Sequence, residues 1–114
     1  VDLVILGKEQ RLAEPVEVTV FRLIQEAINN ARKHAKASRI LVRLEFADQR
    51  INMQVEDDGA GFDLAKARHK ARHAESFGLM SMGERADLLG GSLRIESVPG
   101  EGTIVSASIP VDSD

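Results

Sequence analysis

With 114 residues, 43% of them apolar and 29% charged, the chain holds enough material for one compact domain and too little for two. A formal net charge of −3 argues against a nucleic-acid surface spread over the whole domain. The lack of cysteine excludes disulfides, thiolate metal sites and cysteine nucleophiles and suits a reducing compartment; no apolar run approaches the roughly 20 residues of a membrane span, and no signal peptide precedes the start.

The chain opens directly in strand-like "VDLVIL", the start expected of a domain taken from a longer chain, and "GKEQRL" turns it. From about Glu17 to Lys36 the pattern is helical. Ile24, Ala27, Ile28, Ala31 and Ala35 recur at i, i+3, i+4, i+7 and i+11, one stripe of an amphipathic helix, and Pro15 suits a place just before or in its first turn. "RILVRLEF" (39–46) alternates with Ile40, Val42, Leu44 and Phe46 on one face, and "ADQR" returns the chain into "INMQVED" as an antiparallel hairpin. Residues 63–76 are polar, basic and weakly patterned, and the pattern predicts a mobile, partly helical segment. "GLMSMGERADLLGG" reads as a short helix with Leu79, Met82, Ala86 and Leu89 on one face, stopped by Gly90 and Gly91. "SLRIES", the turn "VPGEG" and "TIVSASIP" form a second hairpin. The order strand, helix, two strands, helix, two strands predicts an α+β fold: a two-layer α/β sandwich with helices on one face of a mostly antiparallel sheet.

Two places break this pattern in ways that suggest chemistry. Counting back in twos from Asp57 gives Val55, Met53 and Ile51, so a carboxylate points inward from the end of an apolar strand face. A buried carboxylate is costly unless something hydrogen-bonds to it. Either the Asp-Gly turn satisfies it locally, or a ligand does, through an exocyclic amine such as adenine carries. Gly59 and Gly61 would then leave room for a ring, and a guanine carbonyl would be rejected.

On the first helix, Asn30 lies at about +40° and Lys33 at about −20° from Glu26, one polar ridge opposite the apolar stripe. Oxygen donors there suit Mg²⁺, which takes few protein ligands, and a lysine offsets phosphate charge; a solvated helix face is the plainer explanation. Gly78 before a helix N-terminus lets phosphate approach free N–H groups, or merely caps the helix. In "PGEGT", Gly100 and Gly102 make a hairpin turn, and Thr103 offers a hydroxyl to a base or a bridging water. His34 most simply packs at the helix end. His69 and His73 stand at i,i+4 with no evident third metal ligand.

Together these stretches resemble the ATP-binding catalytic domain of bacterial sensor histidine kinases, in the gyrase, chaperone, histidine-kinase and MutL (Bergerat-fold) superfamily. "FRLIQEAINNARKHAKAS" is similar to the family's N box, "VEDDGAGFD" to its first glycine box, and "GLMSMGERADLLGGSLRIESVPGEGTIVSASIP" to its second, so the match covers nearly the whole chain. The "QEA…N…KHA" wording, the short span between glycine boxes and the missing phenylalanine box resemble the subfamily of nitrate/nitrite sensors and desaturase-regulating kinases. The resemblance implies that Asp57 reads adenine, that Asn30 binds Mg²⁺, and that Glu26 organises Mg²⁺ and water. It places Lys33 near the phosphates. Gly59, Gly61, Gly78, Leu79, Gly100, Gly102 and Thr103 join the nucleotide site, and residues 62–77 become the lid over it.

Ser81 and Gly83 depart from the glycine and arginine usual in the "GLxGMRER" pattern, which puts in doubt a contact the missing arginine would make. No histidine here is followed by an acidic residue, so the phosphoacceptor and its dimerising helix lie outside this chain, as would a sensor domain. The implied activity is a protein histidine kinase's: Mg-ATP bound by one domain spanning 1–114, and its γ-phosphate donated to a histidine of a separate dimerisation domain for onward transfer to a response regulator with a helix-turn-helix output. The rivals are another ATPase of the superfamily, a serine kinase acting on an anti-sigma antagonist, and a non-catalytic nucleotide-binding module. The isolated domain is expected to be a cytoplasmic monomer with no direct contact to nucleic acid or membrane, the intact protein being anchored in a bacterial membrane by resemblance.

Overall fold

A computed structural model describes residues 1–33, 36–60 and 79–111, residues 79–82 by their backbone alone. The lid expected at 62–77, together with Gly61, Gly78, His34, His69 and His73, lies outside the described residues. The elements follow the expected order: β1 (Asp2–Gly7), α1 (Glu14–Lys33), β2 (Ile40–Ala47), β3 (Arg50–Asp57), α2 (Leu79–Leu88), β4 (Ser92–Val98) and β5 (Gly102–Pro110). One five-stranded sheet has the order β1-β2-β3-β5-β4. Only β1 and β2 run parallel; the other three pairings are antiparallel.

α1 begins three residues before the predicted Glu17 and ends three before Lys36. Pro15 occupies its first turn, where the missing N–H is no loss. Glu14 and Glu17 lie in the first turn and Arg32 and Lys33 in the last, each favourable to the helix dipole. The helix closes with Ala37 N–H donating to the Ala31 carbonyl at 3.0 Å, while Lys36 takes a left-handed φ of 50°. The buried stripe is Val16, Val20, Leu23, Ala27 and Ala31, so the helix is rotated from the expected stripe; Ile24 and Ile28 are only half-buried flanks of the core. The two alanines leave α1 free to lie close against the strands. Helix α2 packs against α1 and β4 and buries Ala86 completely.

Register stacks the inner face of the sheet in lateral rows. Phe46, Ile51 and Ile109 form one; Leu44, Met53, Ala107 and Leu93 the next; Val42, Val55, Val105 and Ile95 the third. These side chains and the α1 stripe make the core, with Ile51, Val55, Ile109 and Leu23 fully enclosed. The outer face carries the alternate residues, mostly polar, including Arg43, Glu45, Asn52, Gln54 and Arg94, with Leu41 and Ile104 among them. At the edge, β1 leaves Leu3, Val4, Ile5 and Leu6 exposed.

Candidate functional site

The fourth row of the inner face differs from the other three. It reads Ile40, Asp57, Thr103 and Ser97 across β2, β3, β5 and β4. Apolar alternation along each strand has carried the chain to the sheet's end, and there three neighbouring strands each place a polar side chain inward. Asp57 is only 9% exposed and Thr103 6%. The inward carboxylate expected from the sequence is therefore real.

Its own turn meets part of its need. Gly59 N–H donates to Asp57 Oδ1 at 2.8 Å, an Asx turn that also directs the chain away from β3. Burial raises the Asp57 pKa above its ordinary 3.8, aided by the charges of Asp58 and Glu56, while N–H groups of Gly59 and Thr103 pull it the other way. The local turn and a ligand are thus not exclusive explanations: the turn fixes one oxygen and with it the direction of the whole carboxylate.

The second glycine turn is clasped to the first. Gly100 N–H donates to the Ala60 carbonyl. Gly102 has φ +100°, and a Cβ on it would stand 2.2 Å from the Asp57 carbonyl oxygen, so only glycine lets β5 approach β3 here. Next to it, Thr103 Oγ1 and Ser97 Oγ lie 2.8 Å apart, and Ser97 Oγ donates to the Gly102 carbonyl at 3.2 Å.

A third loop is tied in by Asp58. Its carboxylate accepts from Ser38 N–H at 2.9 Å, Ser38 Oγ at 2.7 Å and Arg39 N–H at 2.8 Å, and its own N–H donates to the Arg39 carbonyl. The Ser38 hydroxyl and the Arg39 amide hold the Asp58 pKa below 3.8. Because residues 34–39 alone join α1 to β2, and Ile40 pairs with Asp57, the C-terminal turns of α1 stand at the Asp57 end of the sheet. Glu26 and Asn30 on those turns are half-buried and Lys33 is exposed.

Gly59, Gly100, Gly102, Thr103 and Asp57 are thus brought together as predicted, with Glu26, Asn30 and Lys33 on the helix that ends beside them. Leu79 opens α2. Gly83, inside that helix, sits against the side chain of Leu93, to which an added Cβ would come within 3.3 Å, so its small size serves helix–strand packing. Two members of the cluster escaped the sequence reading, Asp58 and Ser97. For Ser97 the signal existed: counting in twos from Leu93 through Ile95 puts it inward just as Asp57 is. Nothing local announced the partners of Asp58, which lie 19 and 20 residues away.

An α/β sandwich of this topology, with a polar row at the open end of the sheet between glycine turns, has the architecture of the Bergerat type. The profile of the family described as "Histidine kinase-, DNA gyrase B-, and HSP90-like ATPase" matches residues 16–113, and the chain belongs to this family. It is 40% identical over its full length to "Signal transduction histidine-protein kinase/phosphatase DegS" of Brevibacillus brevis, of which it covers 28%. It is 35% identical to "Sensor histidine kinase LiaS" of Bacillus subtilis over 91% of the chain and 28% of that relative. The chain therefore spans about a quarter of the length of these sensor kinases. Among solved structures, a histidine kinase domain from Erythrobacter litoralis superposes with a TM-score of 0.70 at 23% identity, covering 96% of this chain and 54% of that one. The ATP-binding domain of PrrB from Mycobacterium tuberculosis gives 0.69 at 20% identity, covering 98% and 82%. These two likenesses establish the fold. No described helix is long and apolar enough to cross a membrane.

Proposed function

We propose that this chain is the catalytic domain of a two-component sensor kinase: it binds Mg-ATP and supplies the γ-phosphoryl group to a histidine on a separate dimerising domain, from which it passes to a response regulator. The observation that carries the reading is the inward Asp57 carboxylate, aimed by its turn with Gly59 beside Thr103, in a chain whose relatives are sensor histidine kinases. A fixed acceptor there suits the amino edge of adenine and repels a guanine carbonyl.

The donor set fits magnesium. Asn30 and Glu26 offer hard oxygens on one ridge, and the described residues hold no group of three or more His, Cys, Asp or Glu suited to a metal, so phosphate oxygens and water would complete the shell. When bound, the ion neutralises charge on the phosphates. Asn30 would hold it, Glu26 would orient its water, and Lys33 would offset remaining negative charge. Asp57 and Thr103 fix the base, and the glycine turns let the chain approach the nucleotide. Phosphoryl transfer asks a protein mainly for positioning and charge neutralisation. The acceptor imidazole attacks in line, a phosphorus–nitrogen bond forms, the bond to the β–γ bridging oxygen breaks, and ADP leaves.

Mixing the domain with γ-labelled ATP, Mg²⁺ and the separately produced dimerising domain of a DegS-type relative tests this. Acid-labile, base-stable label on the histidine domain is expected. Acid-stable label on a serine would mark the serine kinase instead, and ATP binding without transfer to any acceptor would mark a non-catalytic module.

A further inference from the structure

We propose that Ser97 is a positioning residue for base recognition, holding the Thr103 hydroxyl in one orientation beside Asp57 and so sharpening the choice of an amino-bearing purine; this rests on the ATP-binding reading above. Ser97 is the β4 member of the polar row and the Cα partner of Thr103. Neighbouring strands are about 4.8 Å apart, so Ser97 stands roughly 10 Å from Asp57 across the sheet, too far to share its contact with one amine. It acts through Thr103, whose hydroxyl it meets at 2.8 Å.

A threonine hydroxyl rotates to suit its partners and carries one proton and two lone pairs. Thr103 is buried, so water is a poor substitute partner, and the direction of that proton is set by what the protein provides. Ser97 provides it. Its own hydroxyl donates to the Gly102 carbonyl, which only accepts hydrogen bonds, at 3.2 Å. Gly102 in turn is the residue packed on the Asp57 carbonyl. The three polar groups therefore form one connected unit: Asp57 against Gly102, Gly102 to Ser97, Ser97 to Thr103. An apolar side chain in this row would extend the valine row below it and bury more surface, whereas serine keeps the Thr103 hydroxyl partnered and aimed.

The experiment is a double-mutant cycle with Ser97→Ala, Thr103→Val and the pair, titrated calorimetrically with Mg-ATP and Mg-GTP and melted without nucleotide. Ser97→Ala is expected to weaken ATP binding about five- to tenfold, the size of one lost hydrogen bond to a buried hydroxyl, and to lower the ATP-to-GTP affinity ratio by a similar factor. In the Thr103→Val background the same change should alter ATP affinity less than about twofold, because the group it acts through is gone. Ser97→Thr, which keeps the hydroxyl, should restore the affinity and the ratio. Equal losses in both backgrounds, or a fall in melting temperature with the ATP-to-GTP ratio unmoved, would overturn the assignment. Wild-type protein that binds no ATP refutes the functional reading itself; wild-type protein that binds while Ser97→Ala binds equally well refutes only the role of Ser97.

Discussion

Replacing Asp57 by asparagine separates its two jobs. The side chain keeps its shape, and its Oδ1 still accepts from Gly59 N–H, so the turn that aims it survives. What disappears is the charge. With one oxygen retained by Gly59, the amide NH₂ takes the place of the second oxygen and meets an exocyclic amine donor to donor. A hydrogen bond to a charged acceptor contributes about 1.5–3 kcal/mol, and an unpaired donor adds about 1 kcal/mol of penalty, so ATP affinity should fall roughly a hundredfold or more. Stability should move the other way. Burial raises the pKa of Asp57, so the native state binds a proton more tightly than the unfolded chain does, and wild-type stability falls as pH rises from 3.8 through that raised value. The asparagine variant lacks this decline and should melt at or above the wild-type temperature at neutral pH. Calorimetric titration with Mg-ATP and thermal melts across pH 3.5–7 read both effects. Unaltered ATP affinity would remove Asp57 from base recognition. A melting temperature lowered by more than about 4 °C, near 1 kcal/mol for a domain this size, would show that the charge holds the loop together and refute the separation.

Asn30→Ala should weaken ATP binding in Mg²⁺ much more than in EDTA; equal losses in titrations under the two conditions would take Asn30 out of the metal role. Gly102→Ala forces a Cβ to within 2.2 Å of the Asp57 carbonyl at φ +100°, so the two strands must part and the domain should lose about 2 kcal/mol or more, seen as a melting temperature lower by roughly 8 °C; a shift under 2 °C would mean the turn is free to adapt. Asp58→Asn acts at the opposite end of the pH scale from Asp57. The pKa of Asp58 is depressed, so its contribution is complete above 3.8 and lost as pH falls through the lowered value; a wild-type minus variant melting curve should fall on that acid side, with a smaller slope above 3.8 because removing the Asp58 charge relaxes the raised pKa of Asp57. A difference curve that is flat below pH 3.8 would contradict the bonds to Ser38 and Arg39.

The order of elements was legible because each strand alternates and α1 carries a helical stripe, and the inward phase of Asp57 followed from the same period. What period could not fix was the rotation of α1. The expected stripe joined Ile24 and Ile28 to Ala27 and Ala31; the alanines are buried as expected, but Val16, Val20 and Leu23 complete the buried face while the two isoleucines flank it, because the small alanines let that side of the backbone lie against the sheet. The lateral rows were hidden for a different reason. Register between strands distant in sequence depends on how Gly102 fits against Asp57, a contact spanning 45 positions, and no local pattern encodes it. Ser97 was missed on this account: its phase was readable, but its neighbour across the sheet was not.

The same register gives the proposed recognition site its place. Three apolar rows and the α1 stripe supply the stability, and the fourth row can therefore bear a carboxylate that opposes it. Polar groups placed deeper would break the core; placed on the outer face, among Arg43, Glu45 and Gln54, they would be solvated and would discriminate little between one base and another. At the sheet's end Asp57 is dry enough to bond strongly and open enough to be reached. The clasps made by Gly100, Gly102 and Asp58 keep the surrounding loops from relaxing around it. On the proposed reading, such a site holds its acceptor in an unfavourable place until an amine arrives, and the burial that disfavours the free carboxylate would be the source of its selectivity.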